Sequence, residues 1–321
     1  MKINVLTEDQ FPQYQLLSNE YGSVFNDMNW LKIFGKNLKL LSISDNDGKL
    51  VGGFFYYLES HAGIRFVKCP PFTPNNGLFF VSRTSNVSRQ NSDFKNLFTE
   101  ITDSFNKSGF EVLRIAFPSL YTDFQPFIWQ KYKVVPNFTY VHDLNKTEDE
   151  IYSCFSAEKR NEIRKTEKDR INIHEEKDYL IIKNLIENTF LRNKIKYQEN
   201  ILRKILIEFS GNNNSFAYVA TNNTDIIAFS FCLYDKSTAY YLFGGSTEET
   251  KHSGAGSATL WECIRRAKAI GLKVFNFEGS MNPGIEHYFR GFGGTLIPYY
   301  TVNKANIFLE LILKFVRREY F

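Results

Sequence analysis

The residues best suited to chemistry lie in FNFEGSMNPGIEHYFRGFGG, Phe275 to Gly294. There an apolar strand ends at a lone carboxylate, and a glycine-broken loop leads into an aromatic helix with one arginine. Gly279, Ser280, Asn282, Pro283 and Gly284 are enough to make the turn, which needs neither Glu278 nor Arg290. Period-two alternation sets Asn276 and Glu278 on one face and Phe275 and Phe277 in the core. A carboxylate at such a strand end can bind an ammonium group or take a proton from it. It can also brace the loop by accepting N–H groups of the turn from Gly279 to Asn282. Arg290 suits a donor phosphate or a developing oxyanion. Tyr288 is a second catalytic candidate, and Asn276 and Ser280 flank Glu278 as acceptor-binding candidates.

Two further stretches carry charge or open backbone. KHSGAGS, Lys251 to Ser257, places two glycines at the start of a helix, where unpaired N–H groups and the positive end of the helix dipole make a cradle for a pyrophosphate. Lys251, Ser253, Gly254, Ala255, Gly256 and Ser257 belong to this candidate donor site, with Phe243 and Gly244 of the preceding strand AYYLFGG. A glycine-rich helix start without a ligand is the plainer alternative. In FSAEKRNEIRKTEK, Arg160, Arg164 and Lys168 recur every four residues and form one basic ridge. That ridge fits a phosphate-bearing substrate or, equally, a solvated charged face.

Other chemistries lack support. His142, His174, His252 and His287 show no HxxxH spacing, no serine sits in a GxSxG elbow, and the four cysteines have no CxxC pair. No metal is expected. Cys232 and Cys263 read as small core residues rather than nucleophiles. A net charge of +4 is compatible with an anionic ligand and far from that of a dedicated DNA-binding domain.

The elements that must position these groups follow from pattern. With 321 residues, 43% hydrophobic and 23% charged, the chain can build two globular cores. MKINVLTEDQFPQYQ lacks a signal pattern and no apolar run approaches a membrane span, so a cytoplasmic location is expected. The sequence also repeats itself. EVLRIAF and VVPNFT recur as KVFNFEG and LIPYYT, with Glu111 to Lys273 and Pro136 to Pro298 each separated by 162 residues. Upstream, ISDNDGKLVGGFFYYL matches VATNNTDIIAFSFCLY at an offset of 176, so the first copy carries about 14 extra residues, assigned to the loop-like HAGIRFVKCPPFTPNNG. Each copy reads as a hairpin, a third strand, a helix (Asp93 to Ser108; Gly254 to Ile270), a buried strand (Val112 to Phe117; Val274 to Phe277), a second helix and a last strand. This order predicts an α/β (α+β) fold with helices on the faces of each sheet.

On FSAEKRNEIRKTEK, YYLFGGSTEETKHSGAGSATLWECIRRAKAIG and FNFEGSMNPGIEHYFRGFGG, the chain resembles the duplicated acyltransferases of the GNAT superfamily in their FemAB-like branch. The resemblance implies two tandem GNAT-like domains, each a mixed central sheet flanked by helices. Residues 1–150 would be a degenerate acceptor-side domain, 151–175 the basic linking helix, and 176–321 the donor-binding and catalytic domain, with the acceptor between the domains. Lys251, Gly254 and Gly256 fill the superfamily's donor pattern, with lysine in place of its glutamine or arginine. Phe289 stands where many GNAT enzymes carry a tyrosine acid, and Arg290 takes the place of the basic residue in the FemAB-like FK..FG pattern. The implied activity is direct, non-covalent N-acyl transfer from acyl-CoA to an amine of a cell-envelope precursor, an amino sugar or peptide. Aminoacyl-tRNA as donor on a peptidoglycan-type precursor and a catalytically inactive binding protein are the alternatives. A small-molecule or lipid-linked acceptor and, with the second donor, tRNA are the implied partners. The basic-ended amphipathic NIFLELILKFVRREYF fits a packed helix or peripheral membrane contact.

Overall fold

The computed structural model describes residues 1–211, 213–247, 252–279 and 281–321. In chain order the first elements are β1 (Lys2–Val5), α1 (Phe11–Tyr21), α2 (Met28–Lys32), β2 (Leu38–Ser44), β3 (Leu50–His61), β4 (Ile64–Lys68), β5 (Phe79–Phe80), α3 (Val87–Lys107), β6 (Val112–Ala116), α4 (Gln125–Trp129) and β7 (Lys133–Asp143). There follow α5 (Glu148–Ser153), α6 (Ala157–Lys168), β8 (Asn172–Glu175), α7 (Tyr179–Arg192), α8 (Glu199–Arg203), β9 (Ser215–Asn222), β10 (Asp225–Tyr234), β11 (Thr238–Ser246), α9 (Ala255–Ala269), β12 (Val274–Asn276), α10 (Pro283–Arg290), β13 (Thr295–Ala305) and α11 (Ile307–Val316).

The repeat is visible in these ranges. β13 begins and ends 162 residues after β7, and α9 ends 162 residues after α3. The extra residues of the first copy fall later than expected, because Ile64–Lys68, inside the stretch read as loop, is strand β4. Both hairpin turns form as their sequences require. Asp45 Oδ1 accepts from the amides of Asp47 and Lys49 at 3.1 and 2.9 Å while Gly48 takes φ +80°, and Asn223 takes φ +53° in the second turn.

The chain divides into two compact units, 1–137 with 298–321, and 138–297. These differ from the segments 1–150, 151–175 and 176–321 read from the repeat. The physical reason is that β7 and β13 each contribute one end to either unit. In the first unit, β4 and β6 pair in parallel, Phe66 to Lys68 against Val112 to Arg114, and the core gathers Phe54, Phe98, Phe105, Phe117, Phe127 and Val302.

In the second unit, β11 and β12 pair in parallel after the α9 crossover, β12 pairs antiparallel with β7, and β10, β9 and β8 extend the sheet on the other side. Its core combines Phe216, Cys232, Leu260, Cys263, Phe275, Phe277, Phe289 and Phe292. The helix α6 belongs to this unit and packs against α9. Ser156 caps α6 by accepting from the Lys159 amide at 3.2 Å.

Candidate functional site

The site begins with an irregularity in β11. Phe231 pairs with Phe243 whereas Cys232 pairs with Tyr241, so Leu242 is an extra residue, a β-bulge. The bulge sends side chains two residues apart to opposite faces. Phe243 is buried against Phe190 and Phe231, while Tyr241 packs edge-on to Phe289. The Phe243 side chain is therefore part of the core. Gly244 makes room for Tyr241, since a Cβ there would lie 1.7 Å from the tyrosine hydroxyl. Past Tyr240 and Asn276 the β11–β12 pairing stops, and β11 continues to Ser246 while β12 ends. The two strands part at this point.

Glu278 stands at the parting, but strand alternation does not direct it. β12 ends at Asn276, and Glu278 takes the left-handed conformation with φ +56°, a strained position for a non-glycine residue. Asn276 holds it there. The Asn276 Oδ1 accepts from the Glu278 amide at 2.9 Å and from Thr139 Oγ1 at 2.8 Å, so Asn276 shapes the loop. The Glu278 side chain keeps some access to solvent, yet its surroundings desolvate the carboxyl and raise its pKa to about 8, with no described cation or amide offsetting the effect. Tyr240 lies nearby on β11. Burial, then Asp235, then the charge of Glu278 keep its hydroxyl protonated.

The start of α9 divides the work of its glycines. Gly254 is the N-cap, and a Cβ on it would lie 1.9 Å from the Glu162 carbonyl, so this glycine permits α6 and α9 to approach. A Cβ on Gly256 would meet only the Tyr288 hydroxyl, at 3.5 Å. Helix geometry leaves the Gly256 and Ser257 amides without intrahelical acceptors, and among the described residues no side chain caps them. His252 secures the approach to this turn. Its Nδ1 accepts from the Gly254 amide at 3.1 Å and its Nε2 meets Asp169 Oδ2 at 3.0 Å. Ser253 Oγ accepts from Lys165 at 3.4 Å, and Ala255 is buried. Lys251 and Ser280 lie outside the described residues.

Beneath this turn is a buried cluster that sequence reading missed. Lys159, 6% exposed, donates to Glu162 Oε2 at 2.8 Å and to Ser257 Oγ at 3.4 Å, and its ammonium lies 4.3 Å from the centroid of the Tyr288 ring. Ser257 Oγ in turn donates to Glu162 at 2.6 Å. Burial holds the Tyr288 hydroxyl strongly protonated. A signal for Lys159 existed, because it shares the i, i+4, i+7 spacing of the buried Ile163 and Thr166.

The remaining candidates separate. Arg290 is 60% exposed, with Nη2 at 3.1 Å from His287 Nδ1 and Nε at 3.6 Å from Glu286, which also accepts from Tyr140 at 2.7 Å. Glu278 and Tyr288 are thus not joined to Arg290 by any described hydrogen bond or ion pair. The basic ridge is also incomplete. Arg160 turns its guanidinium to the carbonyls of Ser153 and Phe155, closing the turn before α6, which leaves Arg164 and Lys168 exposed. Among the described residues no cluster could hold a metal ion.

Residues 187–290 match the family model described as the GNAT acetyltransferase domain. A search of the curated proteins gives no match. Among solved structures, FemX superposes with a TM-score of 0.66 at 11% identity, covering 97% of this chain and all of that one. The C-terminal domain of an Agrobacterium fabrum protein provisionally named a lysylphosphatidylglycerol synthetase gives 0.57 at 10%, covering 95% and 96%. A tandem GNAT protein from the clavulanic acid biosynthesis pathway gives 0.55 at 10%, covering 94% and 98%. The chain has the tandem GNAT fold, and residues 187–290, within its second unit, are similar to the GNAT acetyltransferase domain.

Proposed function

We propose that the protein is an N-acyltransferase that moves an acyl group from acyl-CoA to an amine of a cell-envelope precursor by direct transfer. The observation that carries this reading is Glu278, a carboxyl with a pKa near 8 at the point where β11 and β12 part. Once ionised, as pH rises through 8, such a group takes a proton from an ammonium and frees the amine to attack the acyl carbonyl, with the donor's thiol as the leaving group. The open amides of Gly256 and Ser257 suit the donor's pyrophosphate, and the unpaired edge of β11 beyond Tyr240 suits the extended part of the donor. Arg290, held by Glu286 and His287, would meet a donor phosphate or the oxyanion. Arg164, Lys168 and Ser280 remain acceptor-side candidates.

The likeness to FemX and to the lysylphosphatidylglycerol synthetase domain supports a cell-envelope amine as acceptor and keeps aminoacyl-tRNA as the second donor reading. Thermal-shift titration with acyl-CoAs and with charged tRNA separates the two, since a donor that binds the folded state raises the melting temperature. With the donor known, Glu278→Gln should bind it normally and turn over about 10²-fold more slowly. Unchanged turnover would make Glu278 a structural carboxylate.

A further inference from the structure

The helix α11, in the first unit, turns most of its apolar surface outward. At 3.6 residues per turn, Ile307, Phe308, Leu311, Ile312, Phe315 and Val316 fall on about half of the helix circumference. All six are exposed, Phe308 at 73% and Phe315 at 91%. Only Leu309 and Leu313 dock the helix, against Val112, Ala305 and Phe321. Glu310 and Lys314 occupy the remaining flank, so Lys314 adjoins the apolar face, and Arg317 and Arg318 follow the helix end. An outward face of this size on a helix fastened by two leucines calls for something to cover it.

Charge and length indicate the cover. Residues 304–321 carry four cations against two carboxylates, and Lys314 pairs with Glu310 at 2.9 Å and Arg317 with Glu319 at 3.8 Å, both at the exposed surface, so the segment keeps a positive excess. Beside the polar flank an open cavity of about 290 Å³ is lined by Lys131, Lys133 and Lys314, with Glu310 as the one carboxylate. The turn after the helix is fixed by Arg114 stacked 3.4 Å from the Tyr320 ring and by Lys133 donating to the Arg318 carbonyl at 3.2 Å. The end of the helix is therefore anchored to the first unit. Ten residues span only about 15 Å, half of a bilayer's hydrocarbon core. A helix with these properties lies in a membrane interface and does not cross it. A second copy of the chain is the weaker cover, because a two-fold interface would bring like-charged rims together.

We infer that α11 seats the protein on an anionic lipid surface, with Phe308, Leu311 and Phe315 entering the acyl boundary and Lys131, Lys314, Arg317 and Arg318 meeting the headgroups. This stands on α11 alone and does not depend on the transfer reaction. The test is flotation of the full chain with vesicles of phosphatidylcholine containing about a third phosphatidylglycerol, and with phosphatidylcholine alone. Wild type should float with the anionic vesicles and bind neutral ones at least about tenfold more weakly, as expected for several cations at a charged surface. Phe308→Ser with Phe315→Ser should lower binding about tenfold or more while leaving the melting curve unchanged, since both rings are exposed. Arg317→Glu with Arg318→Glu should abolish the preference for anionic lipid. Absence of wild-type flotation, or flotation indifferent to the phenylalanine changes, overturns the inference. So does a dimeric mass in light scattering that those changes reduce to a monomer.

Discussion

Glu278 carries its raised pKa because its carboxyl is desolvated with no described compensating partner, and that fixes two pH dependences of defined sign. Below the ordinary carboxyl value of about 4.5 the group is protonated whether the chain is folded or not, so it costs no stability. Between there and about 8 the unfolded chain ionises first, and stability declines as pH rises; above 8 the loss is complete and constant. Glu278→Gln removes this penalty. Its melting temperature should gain on wild type progressively from pH 5 to 8 and hold that gain above, and a difference independent of pH would refute the raised pKa. If Glu278 is also the base, wild-type turnover rises through pH 8 while that of the glutamine variant stays low and flat. Arg290 offers the opposite contrast, since its side chain is largely in solvent. Arg290→Met should shift stability by about 0.5 kcal/mol or less. It should slow single-turnover transfer by about 10²–10³-fold, with Arg290→Lys retaining part of the rate. An intact rate in the methionine variant would reduce the arginine to surface charge.

Helices α6 and α9 show why a glycine motif does not by itself locate a ligand. Two glycines two residues apart in sequence meet different surroundings: Gly254 meets the backbone of α6 and Gly256 meets almost nothing. Gly254→Val should push the helices apart, and overpacking of this kind costs about 1–3 kcal/mol, or more against rigid backbone. That corresponds to a fall of roughly 2–4 °C in melting temperature per kcal/mol in a unit of this size. Gly256→Val should leave the melting temperature close to wild type and weaken donor binding by blocking the approach to the first-turn amides. Calorimetric titration with the donor, read beside the melting curves, distinguishes the two. Equal donor affinity in a folded Gly256→Val variant would remove α9 from the donor site. The cluster of Lys159, Glu162, Ser257 and Tyr288 joins α6, α9 and α10, so the linking helix docks here through a buried ammonium.

At the scale of the whole molecule, the repeat made the element order legible, because period-two and helical patterns survive in both copies and β7 and β13 keep the 162-residue offset to the residue. That Glu278 follows β12 and that glycines open α9 was also legible. What sequence could not convey depends on packing between distant segments. Gly254 facing Glu162, Arg160 closing its own turn, and the bulge at Leu242 are set by partners that spacing does not name. The compact units, too, depend on packing between distant segments. The pattern assigns residues 1–150 to one domain, yet the first unit is completed by 298–321. Val302 is fully buried in its core, β6 pairs with Thr301 to Ala305, and Asn137 donates to Thr301 at 3.3 Å. A fragment ending at residue 150 would leave β6 with an unpaired edge and a cavity where Val302 and Tyr300 pack. It should therefore lack a cooperative melting transition, bind hydrophobic dye and yield quickly to protease. The same fragment joined through a flexible linker to 298–321 should regain cooperative unfolding, because the missing strand and its core residues are restored. Cooperative melting of the 1–150 fragment alone would show that β13 is dispensable to that unit and that the repeat, not the packing, marks where the chain divides.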